Sequence, residues 1–368
     1  MKNIALSGNS SWSILNFRKN LIIRLISEGY HVHILAPLDA SSRQLINLGC
    51  IFHEIKINRI GLNPFRDIFL VLNYFKLLKK LKIDYVCSFN IKPNLYIAYA
   101  CYFLPTKQIM NISGLGSAFL GSGFISLVAK LLYKAALLRF SKRTVFFQNL
   151  DDLNLFKKNR ILNGDIDNVL PGSGIDLSNF YLNNNHLSKG EPKKIIFVGR
   201  LIKDKGIKEF LIAAKKIVAL NQDVNFLIYG EIDEHNPSSL SHEELKEMLH
   251  HQIRHMGNIP DIRIALKESH CVVLPSYREG MSRSLLEAAA SGIPIITTNV
   301  PGCREIVEHT KNGYLCNVRD SGDLANKIFN FLKLSSFEIK IMGDAGRLKI
   351  EKEFSDEIVI NKYLKKIQ

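Results

Sequence analysis

The stretch VVLPSYREGMSRSLLEAAASGIP, Val272 to Pro294, reads as a strand, a turn and a helix in quick succession. Val272-Val273-Leu274 is a short buried strand, Pro275 to Gly280 the turn, and Ser282 to Ser291 the helix, closed by Gly292 and Pro294. A strand that runs into a helix N-terminus leaves unpaired amides and the positive end of the helix dipole at its carboxyl edge, and that edge attracts anions, phosphate above all. Two acids, Glu279 and Glu287, stand beside it. Phosphate alone does not call for them, so the ligand also carries hydroxyls, which carboxylates accept in hydrogen bonds. A sugar joined to a phosphate meets both demands.

Outward from this stretch, short apolar runs alternate with helical ones. In the first half, strands at Lys2–Leu6, His31–Leu35 and Ile51–Ile55 are separated by helices at Phe17–Glu28 and Ser41–Leu48, and further strands follow at Asp84–Ser88, Gln108–Ile112 and Thr144–Gln148. In the second half, strands at Ile195–Val198 and Phe226–Tyr229 and helices at Ile207–Leu220 and Ser241–His255 precede the opening stretch. Alternation of this kind predicts an α/β chain with two doubly wound parallel sheets, each covered on both faces. Pro171 to Lys194 is polar and turn-rich and reads as the connection between the halves. Ligands of such sheets bind beyond the carboxyl ends of the strands, which places the expected site between the domains.

With 368 residues, 46% of them hydrophobic, the chain is long enough for two cores. Its six cysteines form no CxxC pair, and Cys87, Cys101 and Cys271 sit in apolar runs, as expected of reduced core residues in a cytoplasmic protein. The first residues turn too soon from strand to Gly8 to be a signal peptide, and no run of apolar residues is long enough to span a membrane. The net charge of +15 is lopsided: residues 1–150 hold 19 Lys and Arg against 5 Asp and Glu. Phe69–Ile83 and Leu127–Arg143 interleave Leu, Phe and Tyr with Lys and Arg at helical spacing. Such helices either lie on an anionic membrane surface or face a core with a solvated basic side. No helix-turn-helix, zinc finger or RNP-like stretch accompanies the charge, which sets nucleic acid aside.

At the end of the first strand of the second half stands FVGRLIKDKG, Phe197 to Gly206. Gly199 lets backbone approach a ligand, and Arg200 and Lys205 bring cations to the same carboxyl edge as Glu279. Two cations with helix amides can neutralise a departing diphosphate without a metal. GRLIKDKG at 199–206, PSYREGMSRSLLEA at 275–288 and PGSGID at 171–176 resemble the retaining GT-B glycosyltransferases of family 4. The resemblance implies two facing Rossmann-like domains: residues 1–180 binding the acceptor, a linker at 181–194, and residues 195–354 binding a UDP-sugar, with 355–368 crossing back as a helix. It implies metal-free transfer with retention and no cofactor. Arg200 and Lys205 would hold the diphosphate and Glu279 the sugar hydroxyls. The amides of Gly280, Met281 and Ser282 would meet the sugar and distal phosphate, and Glu287 the ribose.

Asn90-Ile91-Lys92-Pro93-Asn94 and Ser113-Gly114-Leu115-Gly116-Ser117 are similar to the branch that includes CapM-like capsule enzymes. That branch also holds transferases that add N-acetylgalactosamine or galactose to polyprenyl-diphosphate sugars. The resemblance thus implies a polyprenyl-diphosphate-linked sugar acceptor, a place on the inner face of the cytoplasmic membrane, and alpha-linked N-acetylgalactosamine as the first donor sugar to test. Many members carry a histidine where this chain has Asn90 to Lys92, and Asn90 or Lys92 takes its place here, Lys92 reading equally as an edge-strand charge. Gly8 and Arg18 are expected near acceptor or donor phosphate, and Ser13 alone would suffice to cap the first helix. Asp165-Ile166-Asp167 has DxD spacing but reads as a solvated turn, and His250, His251 and His255 read as surface residues of a charged helix. A UDP-sugar 2-epimerase of the same architecture and a basic membrane-binding module without activity are the two rival readings.

Overall fold

A computed structural model describes residues 2–58, 64–116, 119, 121, 123–137, 143–162, 168–182, 191–220, 223–234, 236 and 238–367. The chain forms two compact units, Met1–Gly174 with Asp356–Gln368, and Ile175–Ser355. Unit 1 runs β1 (Asn3–Ser7), α1 (Ser11–Ser27), β2 (His31–Ala36), α2 (Ser42–Asn47), β3 (Ile51–Glu54), α3 (Pro64–Lys80), β4 (Tyr85–Phe89), α4 (Ile91–Ala100), β5 (Lys107–Ile112), α5 (Phe124–Leu137), β6 (Arg143–Phe147) and α6 (Leu150–Lys158). Unit 2 runs β7 (Lys193–Val198), α7 (Ile207–Ala219), β8 (Val224–Tyr229), α8 (His242–Met248), β9 (Ile253–Gly257), α9 (Ile262–Lys267), β10 (Cys271–Leu274), α10 (Arg283–Ala290), β11 (Ile295–Thr298), β12 (Gly313–Cys316), α11 (Ser321–Leu332) and α12 (Ser336–Glu353). The last helix, α13 (Asp356–Ile367), belongs to unit 1.

Both sheets are six-stranded and parallel, in the orders β3-β2-β1-β4-β5-β6 and β12-β11-β10-β7-β8-β9. Their central strands are buried on both faces because helices cover both: β4, β10 and β11 are buried along their whole length. Each order reverses beside the first strand of its unit, so the carboxyl ends of β1 and β4, and of β7 and β10, lie side by side.

Three expectations are corrected. The helix expected over Ser241–His255 stops at Met248, held at its start by a capping box between Ser241 and Glu244. His250 and Ile253 then exchange backbone hydrogen bonds in a tight turn, and Ile253–Gly257 becomes β9. Burial of Ile253 against β8 overrides the helical charge pattern, so His255 is a strand residue whose Nε2 lies 2.7 Å from Gly230 O. The first helix begins at Ser11 rather than Phe17, and its cap is Ser10, whose hydroxyl accepts from the Ser13 amide. Of the polar connection, Ile175 and Phe180 are buried in the core of unit 2, and Ile175 N–H donates to Phe354 O. The DxD stretch and residues 183–190 lie outside the described residues. All six cysteines are buried and free. Among the described residues, no helix is long and apolar enough to cross a membrane.

Helix α13 is fixed to the sheet of unit 1 by apolar and polar contacts together. Val359, Tyr363, Leu364 and Ile367 enter the core around Ile4, Leu6 and Ile14. Tyr363 OH accepts from Asn111 Nδ2 at 2.8 Å, and Asn111 O accepts from Asn94, which bonds Ser88 on β4. A buried network of this kind costs little while complete and much when one partner is removed. Tyr363→Phe is therefore expected to lower the unfolding free energy by about 1–3 kcal/mol, measured by chemical denaturation.

Candidate functional site

The loops that follow β7 and β10 are held against each other by backbone. Cys271 and Val272 pair with Ile195 and Ile196, which brings both loops to one edge. The turn Lys203–Lys205 ends at Gly206, at φ +71°, where a Cβ would lie 2.0 Å from Pro275 O. Only glycine allows that approach. Tyr277 N–H then donates to Asp204 O at 2.8 Å, and Tyr277 OH to Glu209 Oε1 at 2.7 Å, with the Arg319 guanidinium 4.7 Å from the centre of its ring. From below, Glu279 N–H donates to Pro301 O and Ser282 N–H to Gly302 O, and a Cβ on Gly302 would meet Glu279 O at 2.5 Å.

This frame joins the side chains expected to act together. Lys205 Nζ donates to Glu279 Oε1, and Ser276 Oγ donates to the same oxygen at 2.6 Å. Both members of the ion pair are largely shielded from water. Arg200 lies on the same β7–α7 connection but reaches outward, 3.2 Å from Asp233 on the loop after β8, and more than half of its side chain is exposed. Gly199 has 3.8 Å of clearance around a hypothetical Cβ, so packing within the protein does not demand glycine there. Ser282 caps α10 and is buried, but its amide is committed to Gly302 O, which removes it from the expected set of ligand donors. Met281 packs against the core of unit 2.

Glu287 is one helical turn below Arg283, whose Nε donates to its Oε1 at 2.8 Å. Burial pushes the Glu287 carboxyl above the ordinary glutamate value of 4.5, and the Arg283 charge and hydrogen bond oppose this. Two acids with seven residues between them thus have different settings: Glu279 beside a lysine in the turn, Glu287 beside an arginine within the helix.

In unit 1, Gly8, Asn90, Gly114 and Gly116 follow the neighbouring strands β1, β4 and β5 and so share one edge. Asn9 N–H donates to Asn90 Oδ1 at 3.1 Å, and Asn90 stands at the N-cap position of α4 at φ +73° and ψ 163°, a strained positive-φ extended conformation. Lys92 is not an edge-strand charge. It stands on α4, and its Nζ is 3.4 Å from Asp67 Oδ1 on α3, with both side chains mostly buried. Arg18 is 5% exposed, with its guanidinium 4.4 Å from the centre of the ring of Phe89, the residue before Asn90. Its neighbours Phe89 and Tyr363 are core residues, so the helix turns Arg18 inward.

The residues that the sequence reading overlooked are mostly partners. Ser276, Asp233 and Arg283 each bind an expected site residue, while Tyr277 and Glu209 clamp the two loops together. Ser276, Tyr277 and Arg283 lie within the opening stretch itself. Asp233 carries no local motif, and its role depends on how far the loop after β8 folds back.

Residues 3–149 match the family model "Glycosyl transferase 4-like" and residues 182–348 the model "Glycosyl transferases group 1". The chain is 28% identical to the N,N'-diacetylbacillosaminyl-diphospho-undecaprenol alpha-1,3-N-acetylgalactosaminyltransferase of Campylobacter jejuni, over 96% of this chain and 95% of that one. It is 27% identical to the capsular polysaccharide biosynthesis glycosyltransferase CapM of Staphylococcus aureus, over 89% and 87%. Among solved structures, Anabaena HepE in complex with UDP and glucose superposes with a TM-score of 0.76 at 16% identity, over 100% of this chain and 99% of that one.

The glycine contacts give a contrasting pair of outcomes. Gly206→Ala forces the Pro275 carbonyl aside and is expected to cost about 3 kcal/mol in an unfolding titration, whereas Gly199→Ala, with open space around it, costs less than about 1 kcal/mol.

Proposed function

We propose, from the premise that this chain belongs to the GT-B glycosyltransferases of family 4, that it moves a sugar from a UDP-sugar to a polyprenyl-diphosphate-linked sugar in surface glycan assembly. Family membership sets the epimerase and the inactive basic module aside. The donor reading rests on one observation above the rest: Lys205 and Glu279, from the loops after adjacent strands, meet as a shielded pair. The acceptor reading is supported by similarity to the Campylobacter enzyme along nearly the whole chain. Alpha-linked N-acetylgalactosamine is the donor sugar this favours, and the cytoplasmic face of the membrane is where such an acceptor is met.

In the proposed reaction an acceptor hydroxyl attacks the anomeric carbon from the side on which UDP departs, and the configuration is retained. The carbon–oxygen bond to the diphosphate breaks, the bond to the acceptor oxygen forms, and the hydroxyl proton passes to the leaving phosphate. Arg200 exchanges Asp233 for a diphosphate oxygen, and Lys205 shares its charge between Glu279 and the departing group. No metal is assigned to this step, because the two cations and the amides at the start of α10 supply the positive charge where negative charge develops. Glu279 accepts from the donor sugar and Glu287 from the ribose hydroxyls. Gly8, Asn90, Gly114 and Gly116 line the acceptor side.

A screen of UDP-N-acetylgalactosamine, UDP-galactose and UDP-N-acetylglucosamine against a polyprenyl-diphosphate N-acetylhexosamine tests the reading directly, and absence of product with every donor overturns it. Lys205→Ala is expected to reduce kcat/KM by about 10²–10³, or about 2.7–4 kcal/mol, while the folded chain persists. A second outcome concerns pH. Because the Glu287 carboxyl is raised, donor affinity should fall on acidification at a pH above the usual glutamate range, as protonation removes the charge that accepts the ribose hydroxyls. Glu287→Gln should abolish that inflection in a calorimetric titration with UDP, and Arg283→Ala should move it to higher pH.

A further inference from the structure

Helix α3 is apolar on two sides. Leu70, Tyr74 and Leu78 enter the core of unit 1, while Phe65, Ile68, Phe69 and Leu72, at the same helical spacing, point to solvent. The exposure is large, 85% for Phe65 and 66% for Phe69. Helix α4 lies between α3 and α5, joined to the first by the Lys92–Asp67 pair and to the second by Tyr99 OH donating to Leu132 O at 2.8 Å. On α5 the pattern recurs, with Leu127 and Leu131 more than half exposed and Tyr133 and Ala136 buried. One helical layer therefore presents two apolar strips to water, more than the scattered surface leucines of an ordinary protein.

The charges around the strips name the occupant. From Pro64 to Leu137 the chain holds nine Lys and Arg against two aspartates. One of these, Asp67, is matched by Lys92, and the other, Asp84, accepts from the Asn3 amide before β4. Arg66, Lys76, Lys79 and Lys80 are exposed on the same helix as the apolar strip, and Lys130 and Lys134 flank the strip on α5. A second copy of this chain would bring like charge against like. An RNA would leave Phe65 and Ile68 without a partner. An anionic bilayer satisfies both demands, since apolar side chains enter the acyl boundary while lysines reach up to the headgroups.

We propose that the outward faces of α3 and α5 are the membrane-docking surface, with Phe65, Ile68, Phe69 and Leu72 inserted and the lysines of both helices bound to anionic headgroups. The purpose of this surface rests on the polyprenyl-linked acceptor reading; its chemistry does not. Two components of binding follow, an apolar one that survives salt and an ionic one that salt removes.

The test uses the full chain and sedimentation with vesicles of phosphatidylethanolamine and phosphatidylglycerol, with phosphatidylcholine vesicles for comparison. The wild-type chain should bind the anionic vesicles and lose only part of that binding in high salt. Phe65→Ser/Phe69→Ser should weaken partition about 10-fold or more at either salt, and Lys76→Gln/Lys79→Gln/Lys80→Gln should weaken it at low salt alone. UDP binding, measured on each variant, should stay unchanged and report an intact fold. Failure of the wild-type chain to bind anionic vesicles overturns the proposal, as does Phe65→Ser/Phe69→Ser binding like wild type. A concentration-dependent dimer that the apolar substitutions dissolve, without vesicle binding, also overturns it and assigns the strips to a second copy. Transfer to a short-chain water-soluble acceptor is read in parallel. Transfer without vesicle binding defeats the docking surface alone, and vesicle binding without transfer defeats the acceptor reading alone.

Discussion

The approach of Gly206 to the Pro275 carbonyl is the constraint on which the proposed donor site turns. The two loops come from neighbouring strands, but adjacency of strands only brings their ends within reach; the side chains meet because backbone passes against backbone. A Cβ at Gly206 would stand between them, one residue after the lysine that meets Glu279. Gly302 repeats the device on the other side of the same turn, against Glu279 O. The turn is thus held by carbonyls and amides, which leaves its side chains available for chemistry.

Charge within the site is balanced before any ligand arrives. Lys205 is paired with Glu279, Arg200 with Asp233 and Glu287 with Arg283. A shielded cation without a counter-ion would be costly, so each carboxylate stabilises its partner. In the proposed reaction, binding a diphosphate is then an exchange of partners rather than a simple gain. The exposed Arg200–Asp233 pair gives way cheaply because water screens it, and the shielded Lys205–Glu279 pair does not. In the proposed reaction Lys205 therefore keeps part of its bond to Glu279 and ties the charge of the leaving group to the position of the sugar.

Motifs confined to a single turn were readable, and contacts between segments were not. Strand β10, the turn and helix α10 follow from the opening stretch almost residue for residue, because proline, glycine and apolar period agree there. Strand β9 was hidden because its alternation, Ile253-Arg254-His255-Met256, is short and charged and continues a helical pattern. Arg18 looked like a phosphate contact because a basic residue early in α1 follows a glycine turn; its stacking on Phe89 depends on β4 and on α13, more than three hundred residues away. Lys92 and Asp67 are separated by a strand and most of a helix, and no local rule joins them.

Helix α3 shows why a hydrophobic pattern alone cannot assign a face. A helix with one apolar stripe must turn it to the core, but α3 has two, and the sequence does not say which is buried. Tyr74 decides it: its hydroxyl is 2.9 Å from Ser7 Oγ at the end of β1, and its ring is fully buried. That contact fixes the rotation of the helix, and with it the outward direction of Phe65 and Phe69. Lysines at the end of α3 follow the same rotation, so the apolar and basic surfaces of unit 1 are consequences of one buried hydrogen bond and the packing around it. The large positive charge of this half, which composition alone leaves open between a solvated face and a binding surface, acquires through that rotation a direction and an apolar companion.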